Sequence, residues 1–515
     1  MDNSLTTAVG NGLSHRRLAA APVGCLGLVG IVAVHCALAL YLATTLNIWF
    51  NEAYTLDTTA QGWARAWSQA ITFEEQAPLY FVLLALWRQI SASIVFARLF
   101  SVLCTGLTVA LSHGLSRRYL PGVSPLVLPL LVAINPLTLW AAVEIRLYAF
   151  SLLLSALLLG LFYEGYYGPG AVDKPGWRWA YGVTACVAIY THYFLAILMA
   201  AQLGLMLVFR QRKPWLGFGW HLLGVALVSL PMGWVVLGQL RRIDHSLYTA
   251  ATPGQGALGG LPKAIGSFAL HSLPMAAPQD WLGGRLGILL GLLGLALAYR
   301  QLRPHIPAVW VMAGILLGGF GLVFTAMESL HYRHATPMFL VSLMAMVGLG
   351  LVGSRRRPYG LILYGVAAIA LSVLCLIQVY SPLAKPGDYK RVGQFLSAQV
   401  RAGQPVLVYN QEVAIALAPY YHGGGPLVPL PQGEDFREFR VADFLLSGPE
   451  PIAVALAAVA PSPTTVWLAV DTQVLRPQPA FQRSFHILET YVQDRFMVVS
   501  RTAFYGTEVL QLTPK

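Results

Sequence analysis

Residues 15–55 read HRRLAAAPVGCLGLVGIVAVHCALALYLATTLNIWFNEAYT, and this stretch decides the class of the molecule. From Leu18 to Leu46 it carries no Asp, Glu, Lys or Arg. Crossing a hydrocarbon core takes roughly 20 apolar residues in a helix, so the run is long enough. It is too long for a signal-peptide core and lacks a convincing small-x-small cleavage site, which predicts an uncleaved anchor behind His15-Arg16-Arg17. Working outward, further candidate spans lie near 97–115, 124–142, 147–163, 179–191, 193–209, 215–237, 284–299, 306–326, 336–353 and 359–380. The run Pro78–Ile90 is too short to cross and contains Trp87-Arg88 near its end, as expected of an interfacial helix. About 11 spans are expected on the spacing rule.

Composition agrees. Of 515 residues, 56% are hydrophobic and only 11% charged, with a mean hydropathy of +0.61. A soluble domain carries about a quarter charged residues, so a soluble enzyme, a disordered chain and an ordinary nucleic-acid-binding domain are excluded. The five cysteines all sit in apolar runs without CxxC spacing, which signals neither a disulfide framework nor a zinc site.

The net charge of +12 is an orientation signal. With Pro78–Ile90 not spanning, alternate short loops hold Arg16/Arg17, Arg117/Arg118, Lys174/Arg178, Arg210/Arg212/Lys213, Arg300/Arg303 and Arg355/Arg356/Arg357. The positive-inside rule makes these loops, and the N-terminus, cytoplasmic. The opposite face then holds the loop 47–96, the loop 238–283 and everything after Ser381. Residues 1–380 form the membrane domain. Residues 381–515, with 11 basic and 11 acidic residues, form a neutral extracytoplasmic α/β domain. Within it the pattern predicts an amphipathic helix over Asp388–Val400, strands over Pro405–Asn410 and Thr464–Asp471, and a strand-rich Phe485–Gln511. No internal repeat, GxGxxG or GxxxxGK[ST] is present.

Ionisable groups beside membrane spans are costly and default to function, and here they gather on the outer face. The first loop carries Asn51-Glu52 and Glu74-Glu75, with Arg98 heading the next span. Later loops carry Glu144-Ile145-Arg146-Leu147-Tyr148, Tyr190-Thr191-His192-Tyr193, and Glu328 with His331-Tyr332-Arg333-His334. A transfer reaction at a lipid–water boundary needs a base for an acceptor hydroxyl and cations for a phosphate leaving group. Each residue also has a plainer reading. Glu52 reads as a solvated residue at a helix start capped by Asn51. Glu144 and Arg146, two apart, do not share a helix face. His192 between tyrosines reads as an interfacial belt, and Glu74-Glu75 as a solvated loop.

In order, Asn51-Glu52, Ala77-Pro78-Leu79-Tyr80-Phe81, Arg98-Leu99-Phe100-Ser101, Glu144 to Tyr148, Tyr190 to Tyr193 and Tyr332-Arg333-His334-Ala335-Thr336-Pro337 resemble the motifs of one family. It is the bacterial branch of the dolichyl-phosphate-mannose protein mannosyltransferase superfamily, membrane glycosyltransferases of GT-C fold (family 39-like). The resemblance covers roughly residues 15–380, and the tail from Asp388 looks like the external domain of many bacterial members. It implies inverting transfer of a sugar from a polyprenyl-phosphate donor to a lipid, polysaccharide or protein hydroxyl, on the outer face of the cytoplasmic membrane. Glu52 would be the general base or orient the acceptor. Arg333, with Arg98, would neutralise the departing phosphate. Glu144, Arg146 and Tyr148 would line the sugar and acceptor cavity, with His192, Tyr193, Tyr332 and His334 in the remaining substrate motifs. Asn51 stands where the family carries an acid, which an amide cannot replace as a base. No cofactor is signalled, and a divalent metal, used by some relatives, is not demanded.

Three other readings stay open: a glycan ligase or polymerase of related architecture, a lipid or solute transporter, and a non-catalytic scaffold for envelope assembly. A transporter predicts internal repeats and ionisable groups at the bilayer midplane; here those groups collect at one face. The sidedness is testable by itself: a cysteine placed within 354–357 should react with impermeant thiol reagents only from the cytoplasm, and labelling from outside would invert the topology.

Overall fold

The computed structural model describes residues 7–169, 175–209, 215–242, 260–274, 307–327, 330–352, 359–433, 436–437, 440–459, 463–472 and 479–515. These fall into two compact units. One draws on Met1–Ala43, Arg98–Gly233 and Gly254–Gln378; the other on Thr44–Ala97, Trp234–Pro253 and Val379–Lys515. The expected span 284–299 and the residue Glu328 lie outside the described residues.

The first unit is helical. Among the described residues five helices are long and apolar enough to cross a membrane: Gly24–Thr45, Ile94–Tyr119, Tyr148–Tyr167, Ala308–Ala326 and Tyr359–Tyr380. The pair Trp215–Val228 and Leu230–Arg241, bent by 59°, makes a sixth if counted as one span. The chain is thus a multi-pass membrane protein. Two expected spans are broken, and proline explains both. Residues 124–142 divide into Val127–Ile134 and Pro136–Ala142. The residue before proline is pushed out of the helical region, so Asn135 turns extended and its side chain caps the second helix by accepting from the Leu137 N–H. In 215–237 the bend falls just before Pro231, which has no N–H to continue the ladder. The candidates at 179–191 and 193–209 form the helices Pro175–Ile189 and Leu195–Val208, joined by a short turn that holds Thr191 and His192.

The second unit is an α/β assembly. Its sheet comprises β1 (Val406–Tyr409), β2 (Leu427–Leu430), β3 (Val466–Asp471), β4 (Phe496–Phe504) and β5 (Thr507–Pro514), in the order β2-β1-β3-β5-β4. Strand β1 runs parallel to β2 and β3, and β5 is antiparallel to β3 and β4. Every residue of β1 and β3 is buried, as parallel strands covered on both faces require. Pro429 is tolerated because β2 is an edge. The core joins Leu407, Leu430, Leu468 and Leu512 with Ile452, Leu488 and Val492 from helices.

The expected strand-rich stretch Phe485–Gln511 needs correcting: its part up to Arg495 belongs to the helix Pro479–Arg495. Phe481, Ser484, Leu488 and Val492 are its buried residues, at spacings of three and four. That period is helical, and it overrides the local β-favouring Phe, Ile, Thr, Tyr and Val. The first-loop helices Phe50–Thr58, Trp63–Thr72 and Leu79–Arg88 belong to this unit too. The Tyr54 hydroxyl donates to Glu412 at 3.2 Å, and its ring meets Phe73 and Phe436 edge-on.

One close backbone approach sets the β1–β2 pairing. A Cβ on Gly425 would lie 1.7 Å from the Gln404 carbonyl oxygen, and the next residue, Pro426, accepts from the Val406 N–H. In full-length Gly425→Ala the amides of Val406–Tyr409 should exchange hydrogen faster than in the wild type. Unchanged exchange there would contradict the packing.

Candidate functional site

In the second unit the geometry gathers around Glu52. The helix Phe50–Thr58 starts one residue after Trp49, its N-cap, so Asn51 is not the cap but a helical residue, and Glu52 sits at N3. Glu52 reaches back to the Trp49 N–H at 3.3 Å, as a capping-box acid does. It is not the solvated residue that the plainer reading expects: it is 0% exposed. The same oxygen, Oε2, accepts from the Lys385 ammonium at 2.6 Å. Lys385 is itself 6% exposed and stands 333 residues along the chain.

Asn47 fixes the backbone on both sides of that contact. Its Oδ1 accepts from the Lys385 N–H at 3.0 Å, and its Nδ2 donates to the Gly387 carbonyl at 3.0 Å. Lys390 donates to the Thr45 carbonyl at 3.2 Å, and the Ile48 N–H donates to the Tyr420 hydroxyl at 2.9 Å. Glu74 departs from the expected solvated loop. It is half-buried and accepts from the Thr55 and Thr58 hydroxyls, bracing the Glu52 helix from its other end.

In the first unit a cluster of rings forms where three loops meet. Tyr148 faces His192 at 6.5 Å and His334 at 6.3 Å between ring centroids, both edge-on. Phe194 meets the same two imidazoles, and Trp140 lies against Tyr148. His192 is 3% exposed. Its Nδ1 bonds the Ser151 hydroxyl at 3.1 Å, while its Nε2 is buried without a protein partner among the described residues. Burial pushes the His192 imidazole down to about 3. His334 also moves down, first through burial and then through the neighbouring Arg333 guanidinium. It accepts from the His331 N–H at 3.0 Å. Tyr332, Arg333 and His334 open the short 3-10 turn Tyr332–Met338. Tyr193 lies in the turn after His192.

Glu144 and Arg146 are both buried, at 1% and 7% exposure. They lie in a loop, not on a helix, so a separation of two does not keep them apart. The Glu144 carbonyl accepts from Ser101 at 2.7 Å. Arg98 is fully buried and donates to the Ala43 carbonyl at 2.9 Å. It thereby ties two helices together. Among the described residues no group of three His, Cys, Asp or Glu side chains is placed to hold a metal ion.

No protein-family model matches the sequence, and no curated protein does. Solved structures do. ArnT from Cupriavidus metallidurans in the apo state is similar at a TM-score of 0.56 and 13% identity, over 94% of this chain and 98% of that one. The same enzyme bound to undecaprenyl phosphate aligns at 0.54 and 14% identity, over 94% and 97%. The Archaeoglobus fulgidus oligosaccharyltransferase, tethered to an acceptor peptide containing the NVT sequon, aligns at 0.51 and 11% identity, over 95% and 74%. The chain has the GT-C fold.

The GT-C assignment extends over the tail as well as the helices, since the ArnT alignments cover 94% of the chain. Two residues of this GT-C protein's candidate site carry no sequence signal: Lys385 and Asn47 lie outside every motif quoted above. Lys385 could have been suspected only from its isolation, as the first basic residue after the last span.

His192 supplies a pH test. Its depressed value means the unfolded state takes up a proton between about 6.5 and about 3 while the folded state does not. Its contribution to stability is therefore complete above pH 6.5 and shrinks as pH falls, by about 2 kcal/mol at pH 5. His192→Gln should flatten the loss of thermal stability between pH 7 and 5 in detergent. An unchanged slope would mean that His192 is already charged or solvated.

Proposed function

We propose that this protein is an inverting membrane glycosyltransferase, moving a sugar from a polyprenyl-phosphate donor to a hydroxyl of an envelope acceptor on the outer face of the cytoplasmic membrane. The observation that carries the reading is the likeness, over nearly the whole chain, to a structure holding undecaprenyl phosphate. The reading draws on a buried carboxylate at Glu52 in one unit and, in the other, on the imidazole groups around Tyr148 and the Arg333 guanidinium.

In the reaction the acceptor oxygen attacks the anomeric carbon from the face opposite the phosphate. The new carbon–oxygen bond forms as the bond to the phosphate oxygen breaks, so the configuration inverts. Glu52 is the group assigned to the acceptor proton, directly or by orienting the hydroxyl. Arg333 is assigned to the negative charge that grows on the departing polyprenyl phosphate, a bidentate task that suits a guanidinium. Glu144, Arg146 and Tyr148 are assigned to sugar and acceptor recognition, with His192 Nε2 as a further polar contact. The donor arrives activated and lipid-bound, which agrees with the lack of a nucleotide-binding signature. Asn51 is left without a proton-transfer role.

The oligosaccharyltransferase likeness favours one second reading, transfer of a preassembled glycan. A donor panel that includes both monosaccharide and oligosaccharide polyprenyl lipids separates the two. Glu52→Gln should lower transfer at least about 100-fold, the lower range of general acid–base effects, while the protein still inserts into membranes. Full activity in that variant would remove Glu52 as the base. Arg333→Ala should raise the donor KM more than the acceptor KM, and equal changes in both would sink its phosphate role.

A further inference from the structure

We propose that Lys385, from the C-terminal chain, is the positioning residue for Glu52, so that the segment Tyr380–Tyr389 is part of the transfer machinery and not a mere connection to the outer domain. This rests on the glycosyltransferase reading above.

The contacts converge from both ends of the lysine. Its ammonium holds Glu52 Oε2 at 2.6 Å, and its own N–H is held by Asn47, five residues before Glu52. A buried lysine without a partner is expensive, so carboxylate and ammonium each fix the other's place. The backbone is shaped to deliver it. Past the helix Tyr359–Tyr380, Leu383 takes a left-handed conformation at φ 46°, which non-glycine residues seldom adopt. Its N–H closes a turn on the Tyr380 carbonyl. Two residues beyond Lys385, Gly387 sits at φ 72°, and a Cβ there would lie 2.3 Å from the Tyr389 ring. Only glycine lets its carbonyl reach the Asn47 amide while Tyr389 donates to Asp471 at 2.5 Å. Both turns bring one side chain to one carboxylate. A structural pair could have been a hydrophobic contact of similar volume at no loss of stability. Retaining two charges here makes sense if the carboxylate is used and needs a fixed orientation.

The experiment uses the full-length protein in nanodiscs, with the polyprenyl-linked sugar that the wild type consumes fastest. Lys385→Met should lower kcat at least about tenfold while the donor KM stays within twofold, because an acid out of place slows the step without loosening the lipid phosphate. Lys385→Arg should recover most of that loss by restoring the cation. Should Lys385→Met fail to fold, Lys385→Gln, which keeps a hydrogen-bond donor for Glu52, reads the same quantity. A folded neutral variant with wild-type kcat would overturn the proposal, as would a loss that falls on the donor KM instead. A wild type inactive on every donor overturns the glycosyltransferase reading first and this role with it, whereas an active wild type beside a fully active Lys385→Met overturns this role alone.

Discussion

A carboxylate and an ammonium, both removed from water and 2.6 Å apart, are the constraint on which the second unit depends. Neither charge is tolerable there alone, and taking away one partner of such a pair costs about 3–5 kcal/mol. The pair therefore dictates where the chain can go. Within this unit the helix carrying Glu52 starts at Phe50, and the chain turns at Leu383 to present Lys385. The bonds from Asn47 to the Lys385 N–H and the Gly387 carbonyl follow from that demand. So does the Lys390 contact with the half-buried C-terminal end of the first helix, whose last carbonyls have no partner within the helix.

The α/β sheet supplies the rigidity behind this arrangement. Its central strands are wholly buried, and the helix after β1 offers Glu412 to Tyr54, on the same short helix as Glu52. Glu74 braces that helix through two threonine hydroxyls. In the membrane unit the ordering is aromatic. Tyr148, His192, Phe194 and His334 hold one another edge-on, and among the described residues one His192 nitrogen is buried without a protein partner. A buried polar atom left in this way is costly unless something else completes it, and the proposed reaction assigns that place to a sugar hydroxyl.

Much of this was legible in residues 15–55 and their successors, because spans are encoded locally by length and hydropathy. The polytopic membrane class, the short helix at Leu79–Arg88, the helix at Tyr389–Gln399 and the strands β1 and β3 follow from composition and period, whereas the GT-C fold came through the resemblance of the motifs. What escaped is of two kinds. Local patterns misled where a longer period won, as in Pro479–Arg495, or where a proline cut an apolar run, as at Asn135-Pro136. Long-range pairing left no trace at all: nothing near Lys385 marks it as the partner of a residue 333 positions away. For the same reason Glu52 looked solvated, since burial of a single acid is decided by its distant partner.

A double-mutant cycle on Glu52→Gln and Lys385→Met, read by chemical unfolding of the full-length protein in detergent, measures how far the two charges depend on each other. The pair predicts that each single substitution destabilises the protein while the double is far milder than their sum, with a coupling of about 3 kcal/mol. Single effects that add to within about 0.5 kcal/mol would show that the two charges do not depend on each other, and would contradict the account.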